Sequence, residues 1–257
     1  MTSLRSRVLG VIPWRWRARM RRVLRRRDTV TILHIGKTGG TAVKAALEPY
    51  RRSGRYDLEL AWHDAVLRDV PRGERVVFFL RDPVARFESG FDNQYRGATP
   101  RYEHDWTEAE TIAFERFGTA AELALALGST DVEERHAAEA AMRGIDHVRT
   151  SFWDWFEDEA YFRSRLNDVL LVGFQETLEA DFAELRQRLG LPESMRLPSD
   201  EVTAHRRPEP ASPLPPEADA LIRRWYAADY EFIRLCAETV LDRPVPIDLE
   251  RTASSEA

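Results

Sequence analysis

The chain has one cysteine, Cys236, in 257 residues. A disulfide scaffold and a cysteine-built zinc site are both excluded by that count, and a reducing compartment is the natural setting. Apolar runs are short, and none approaches the ~20 residues of a membrane span. Glycine and proline number 13 and 14, too few for a collagen-like or low-complexity chain. Lysine is the sharpest shortage. Of 38 basic residues only Lys37 and Lys44 are lysine, and they stand within eight positions of each other. A preference for arginine accounts for few lysines but not for their clustering. A compact ammonium and a planar guanidinium do different chemistry, which makes Lys37 a functional candidate before any motif is considered.

Charge is unevenly spread. Residues 1–28 hold ten Arg and one Asp, a net of +9, in a chain whose total is −5. The acidic remainder argues against nucleic acid as a partner, since phosphate binding needs a basic face. Residues 4–27 mix arginines with Leu4, Val8, Trp14, Trp16 and Leu24, and Pro13 divides them into two short helical pieces. The mixture predicts contact with an anionic membrane surface, not a signal peptide. The expected location is cytoplasmic, peripheral at the inner face of the membrane.

The pattern predicts a single α/β domain over residues 29–244, a central parallel sheet flanked by helices. The basic amphipathic segment 1–28 precedes it and a frayed tail, 245–257, follows. Thr29–Ile35, Tyr56–Leu60, Val76–Leu80 and Val169–Gly173 read as strands, and their continuous apolar character fits a sheet covered on both faces. Helices are expected over Thr41–Leu47, from about Val84, over Leu178–Leu189 and over Ala218–Val240. Thr107 with Glu110, and Thr130 with Glu133, have capping-box spacing. Residues 192–217 form a proline-rich loop containing His205, Arg206 and Arg207.

Two segments carry chemistry. In His34-Ile35-Gly36-Lys37-Thr38-Gly39-Gly40-Thr41, three glycines lie between a strand and a helix. They allow a tight turn that brings N–H groups toward an anion, and the helix start adds its own unpaired donors. Lys37 contributes charge; Thr38 and Thr41 contribute hydroxyls. It is not a Walker A loop: Thr31 stands where that pattern requires glycine, and the glycines follow the lysine. In the second segment Arg81 ends the Val76–Leu80 run, Asp82 and Pro83 follow, and Ser89 comes eight residues after Arg81. Open α/β sheets bind ligands at such strand ends, and a guanidinium with a hydroxyl can grip phosphate. A bare strand-to-helix turn and a sheet-edge Arg81–Asp82 pair are the plainer alternatives.

The two segments together resemble sulfotransferases that use 3′-phosphoadenosine 5′-phosphosulfate (PAPS), in the branch of carbohydrate and heparan sulfate 2-O-sulfotransferases. Lys37-Thr38-Gly39-Gly40-Thr41 is similar to that family's donor loop, with Gly36 in place of its usual proline. Arg81, Asp82, Pro83 and Ser89 match its second motif, and Val172–Glu176, Asp181-Phe182 and Leu189–Pro192 are similar to its C-terminal half. The resemblance spans about residues 29–240. It implies a P-loop-like sulfotransferase fold in which Gly36–Thr41 cradle the 5′-phosphosulfate. Lys37 would neutralise the leaving oxygen, and Arg81 with Ser89 would hold the 3′-phosphate. Arg206 and Arg207 would close over the nucleotide. It also implies a glycan or glycolipid acceptor and no metal.

The transfer needs a base, and histidine titrates in the right range. His63, eighteen residues before Arg81, stands where the resembling branch carries its catalytic histidine; His147 is the alternative, and His34 is expected to be structural. Trp106, Trp153, Trp155 and Phe156 are either sugar-stacking residues or core. Two other readings stay open: a nucleotide-dependent kinase of related architecture, and a catalytically silent nucleotide-binding protein on a membrane.

Overall fold

A computed structural model of the protein describes residues 28–97, 105–198 and 214–250. The expectations for residues 4–27, and for His205, Arg206 and Arg207, fall outside them.

Four parallel strands form one sheet: β1 (Thr29–Ile32), β2 (Asp57–Leu60), β3 (Arg75–Leu80) and β4 (Val169–Phe174), in the spatial order β2-β1-β3-β4. β3 pairs with β1 through Val77 opposite Ile32, and with β4 through Phe79 opposite Gly173. The helices are α1 (Gly40–Leu47), α2 (Pro83–Tyr95), α3 (Glu108–Arg116), α4 (Ala120–Ala126), α5 (Val132–Gly144), α6 (Trp153–Phe156), α7 (Glu159–Arg163), α8 (Leu178–Leu189), α9 (Pro216–Trp225) and α10 (Ala227–Thr239). The protein is thus α/β with an all-parallel central sheet, as the apolar runs predict.

Alternation along β3 explains why both faces of the sheet are covered. Val76, Phe78 and Leu80 point into one core with Phe152, Phe156, Phe162 and Phe232. Val77 and Phe79 point the other way, into a core shared with Val43 and Leu47 of α1 and Phe182 and Leu185 of α8. A third core joins Phe87 and Phe91 of α2 to α3, α4, α5 and α9. Each fully buried aromatic of this kind stabilises the fold by roughly 1.5–3 kcal/mol.

β1 is shorter than its apolar run. Leu33 still donates to Val77 O at 2.9 Å, and the chain then leaves the ladder to form the glycine loop. The long final helix is instead two helices. The chain turns at Tyr226, whose hydroxyl donates to Val148 O. Thr130 does not cap α5: Asp131 does, accepting from Glu133 N at 2.8 Å and Glu134 N at 3.4 Å. The boxes at Thr107–Glu110 and Thr119–Glu122 are both formed. The tail is not frayed up to residue 250. Val245, Ile247 and Leu249 pack on the first core, and Asp248 O and Leu249 O accept from Arg223 and Arg234. Among the described residues no helix is long and apolar enough to cross a membrane.

The strand order fixes where a ligand belongs. From β1 the chain moves outward to β2 on one side; from β3 it moves outward to β4 on the other. The carboxyl ends of β1 and β3 therefore flank the topological switch point, where open parallel sheets form their binding crevice. The glycine loop leaves β1 there, and Arg81 leaves β3.

Candidate functional site

The loop between β1 and α1 is held through its carbonyls, once from within and twice from the β3–α2 side. Thr38 Oγ1 donates to Ile35 O at 3.0 Å, Arg86 Nε to Gly36 O at 3.2 Å, and Arg81 Nη1 to Lys37 O at 3.2 Å. Lys37 has φ 67° and Gly39 φ 84°, with Thr38 between them outside the left-handed region. Such alternation is the backbone form in which successive N–H groups make an anion-binding concavity. A left-handed lysine costs about 1–2 kcal/mol relative to glycine, a strain that the three carbonyl anchors hold in place. No side chain caps the start of α1 and its first turn contains no acid, so its N–H groups and positive dipole end face the crevice.

α2 supplies the other wall. Asp82 caps it, accepting from Val84 N and Ala85 N, while its second oxygen accepts from Tyr230 and lies 3.6 Å from Arg223. The Asp82 carboxylate therefore serves the helix and the last two helices, not an Arg81–Asp82 sheet-edge pair. Along α2, Arg86, Ser89, Gly90 and Asn93 share one stripe by helical spacing. Asn93 is buried and accepts from Lys37 Nζ at 2.9 Å. Arg86 is 1% exposed; besides Gly36 O it reaches Thr150 O at 2.8 Å and Asp229 Oδ2 at 3.4 Å. Asp229 also accepts from Ser151 and from Phe152 N. Burial pushes the Asp229 carboxyl up, opposed by the Arg86 guanidinium.

Three histidines gather beside this loop. The rings of His34 and His63 are 3.8 Å apart, and those of His63 and His147 are 5.7 Å apart. His147 fills the space a side chain at Gly36 would need: an added Cβ would lie 2.8 Å from His147 Nδ1. His34 does the same beneath Gly40, where an added Cβ would lie 2.6 Å from its Cδ2. His63 keeps an exposed edge, yet the groups packed around its ring hold it below the usual histidine value, chiefly by desolvation and then by the Lys44 charge. His147 is pushed down to about 4, first by burial and then by Lys37, His63 and Arg86, against Asp146. Both imidazoles are neutral near pH 7, the state a proton acceptor needs.

Compared with protein-family models, curated proteins and solved structures, the chain matches none of them.

A cavity of about 410 Å³ opens beside the loop, lined by Ala42, Gln175, Glu176, Thr177, Leu178 and Leu197. Leu178 and Gln175 also pack on Gly39, so the cavity and loop are continuous. Glu176 stands at the rim, where it accepts from Asp82 N at 2.9 Å; desolvation raises its carboxyl despite Arg81 nearby.

Of the residues picked from sequence, Gly36, Lys37, Thr38, Gly39, Gly40, Thr41, Arg81, Ser89 and His63 all come from the elements that border this crevice. His147 joins them. Trp155 and Phe156 do not: they are 6% and 0% exposed and belong to the first core. Trp153 packs edge-on against Phe232, and Trp106 lies among Tyr95 and Phe114. Trp106 and Tyr95 stay 39% exposed, and the most exposed aromatic among the described residues is Trp62, 69% exposed and adjacent to His63. Arg86, Asn93 and Asp229 were not singled out from sequence. The available signal was the helical spacing of Arg86, Ser89 and Asn93 beside a glycine loop; nothing local pointed to Asp229.

Proposed function

We propose that this chain transfers a sulfuryl group from PAPS to a hydroxyl of a glycan or glycolipid, as the resemblance of its two motifs to PAPS-dependent sulfotransferases implies. The observation that carries the reading is the meeting of Lys37, Arg81 and two neutral imidazoles over a glycine loop and an uncapped helix start. Backbone N–H groups of Gly36–Thr41 take the phosphosulfate. Lys37, oriented by Asn93, neutralises charge on the oxygen that leaves sulfur. Arg81 and Ser89 take the 3′-phosphate, and the cavity beside Ala42 and Gln175 has room for the nucleoside.

His63 accepts the proton of the attacking hydroxyl. It is favoured over His147 because its edge faces solvent, where an acceptor arrives, whereas His147 is wedged between Gly36 and Gly90. Positioning and charge stabilisation do the rest of the work. Arg206 and Arg207 would close over the nucleotide. The basic segment 4–27 would hold the enzyme on anionic lipid at the cytoplasmic face, next to a lipid-linked acceptor.

Calorimetric titration with adenosine 3′,5′-bisphosphate, with ADP as control, tests the reading. Tight binding of the first and weak binding of the second is expected. Equal binding, or preference for ADP with magnesium, replaces sulfuryl transfer by phosphoryl transfer. Selective binding without turnover on any hydroxyl acceptor points to a silent nucleotide-binding protein.

A further inference from the structure

The second lysine has no part in the reaction described above, yet it is the most specifically seated ammonium in the fold. Lys44 lies on α1, two turns from Lys37. Its Nζ donates to Ala61 O at 2.7 Å and sits 3.2 Å from His34 Nδ1. The same ammonium lies 4.8 Å from the centre of the Trp62 ring. Ala61 and Trp62 begin the turn that carries His63, and His34 stacks on His63. One charge therefore grips the backbone before His63, the side chain beside it and the ring beneath it.

The local chemistry explains why lysine is used in a chain that uses arginine elsewhere. Three contacts in different directions suit a compact ammonium with rotating donors; a planar fork cannot make them together. Lysine has only donors, so His34 Nδ1 must accept and the ring proton must sit on Nε2. Gly40 completes the seat, because a side chain there would collide with the His34 ring.

We propose that Lys44 is a positioning residue: acting through His34, Ala61 and Trp62, it holds the His63 imidazole over the anion loop in a fixed orientation. The proposal rests on His63 as the base of the reaction above. Lys44 also acts by charge. The groups that bear on His63 are Lys44 from α1, Lys37 from the loop, Asp64 from its own turn, Asp146 and His147 from the segment after α5, and His34 from the end of β1. Lys44 is the strongest of the charges and opposes protonation.

The test is a nitrogen-15 NMR titration of the histidines in the wild type and in Lys44→Met, which keeps the unbranched stem but for its last atom and removes the charge. The His63 midpoint is expected to move upward, toward the ordinary histidine value, and the ring contact between His34 and His63 to weaken. If transfer is measurable, turnover should fall about tenfold or more, with the acidic limb of its pH profile moving up alongside the midpoint. A folded Lys44→Met protein with an unmoved His63 midpoint overturns the proposal. So does a wild-type His34 protonated at Nδ1, a result that stands even if the variant does not fold. Failure of the wild type to prefer adenosine 3′,5′-bisphosphate over ADP would instead remove the sulfuryl-transfer reading, and the histidine titration would judge Lys44 separately.

Discussion

Gly36 is where the loop and the histidine cluster meet, and replacing it by alanine gives a sharp test of their geometry. Gly36 is not among the left-handed glycines, so alanine meets no backbone penalty and the effect is steric alone. The new Cβ would lie 2.8 Å from His147 Nδ1 and 3.4 Å from Cε1, where ordinary contact begins at 3.4 Å. About 0.6 Å of overlap with the nearest atom must be relieved. His147 has little room to retreat, because its carbonyl group lies against Gly90 of α2 and its own backbone is left-handed, φ 59°. Overpacking of this kind costs typically 1–3 kcal/mol, so Gly36→Ala should lower unfolding free energy by about 2 kcal/mol in a urea titration. Gly36→Ala with His147→Ala should recover much of that loss, with a coupling of about 1 kcal/mol. Additivity within about 0.5 kcal/mol, the behaviour of independent sites, would refute the claimed contact. The sulfotransferase loops that this segment resembles carry proline at the same place, and here the His147 ring occupies the space a proline ring would need.

Other outcomes follow from the same site. Lys37→Gly should abolish most turnover and be about 1 kcal/mol more stable than Lys37→Ala, which loses the same Asn93 contact but keeps the positive φ; equal stability of the two variants in thermal unfolding would mean that the backbone there is not strained. Arg86→Met should cost about 3–5 kcal/mol by leaving Asp229 buried without its cation, read from denaturant midpoints, and unchanged stability would make the pair irrelevant. His147 is depressed to about 4, so between pH 6.5 and 4 the unfolded chain binds a proton that the folded chain refuses. Stability should therefore fall across that window by on the order of 2 kcal/mol from this group, and His147→Asn should flatten the slope. His63→Ala should lower transfer about 100-fold or more with nucleotide affinity retained, measured by single-turnover assay and calorimetry.

Much of the frame was legible because its signals are local. β3 is a continuous apolar run, α8 ends at Gly190 as its pattern predicts, and the glycine loop sits between an apolar strand and a helix former. Errors arose where a neighbour distant in sequence decides the outcome. The last helix breaks at Tyr226 because its hydroxyl reaches Val148. The tail packs because Arg223 and Arg234 hold its carbonyls. The α5 cap is the local exception: Asp131, next to Thr130, takes the cap with one carboxylate oxygen that accepts from both Glu133 N and Glu134 N. The same limit applies to the site. Lys37, Arg81 and Ser89 belong to short motifs, whereas Arg86 reads as an ordinary helix arginine until Asp229, 143 positions away, is placed against it. Trp62 carries no sequence signal of its own, because periodicity cannot tell an exposed loop tryptophan from the buried Trp155.

The junction of α9 and α10 has a consequence for synthesis. Within five residues it supplies Tyr226 to Val148, Asp229 to Arg86 and Tyr230 to Asp82, so the outer supports of the glycine loop come from residues far later in the chain. As the ribosome delivers the chain from the front, the glycine loop and the Arg81 turn emerge long before the groups that brace them. The newly made sheet must wait with an unfinished crevice until residue 230 is free of the exit tunnel. A chain stopped before Tyr226 would keep all four strands but lack the groups that brace the Asp82 and Arg86 wall of the crevice.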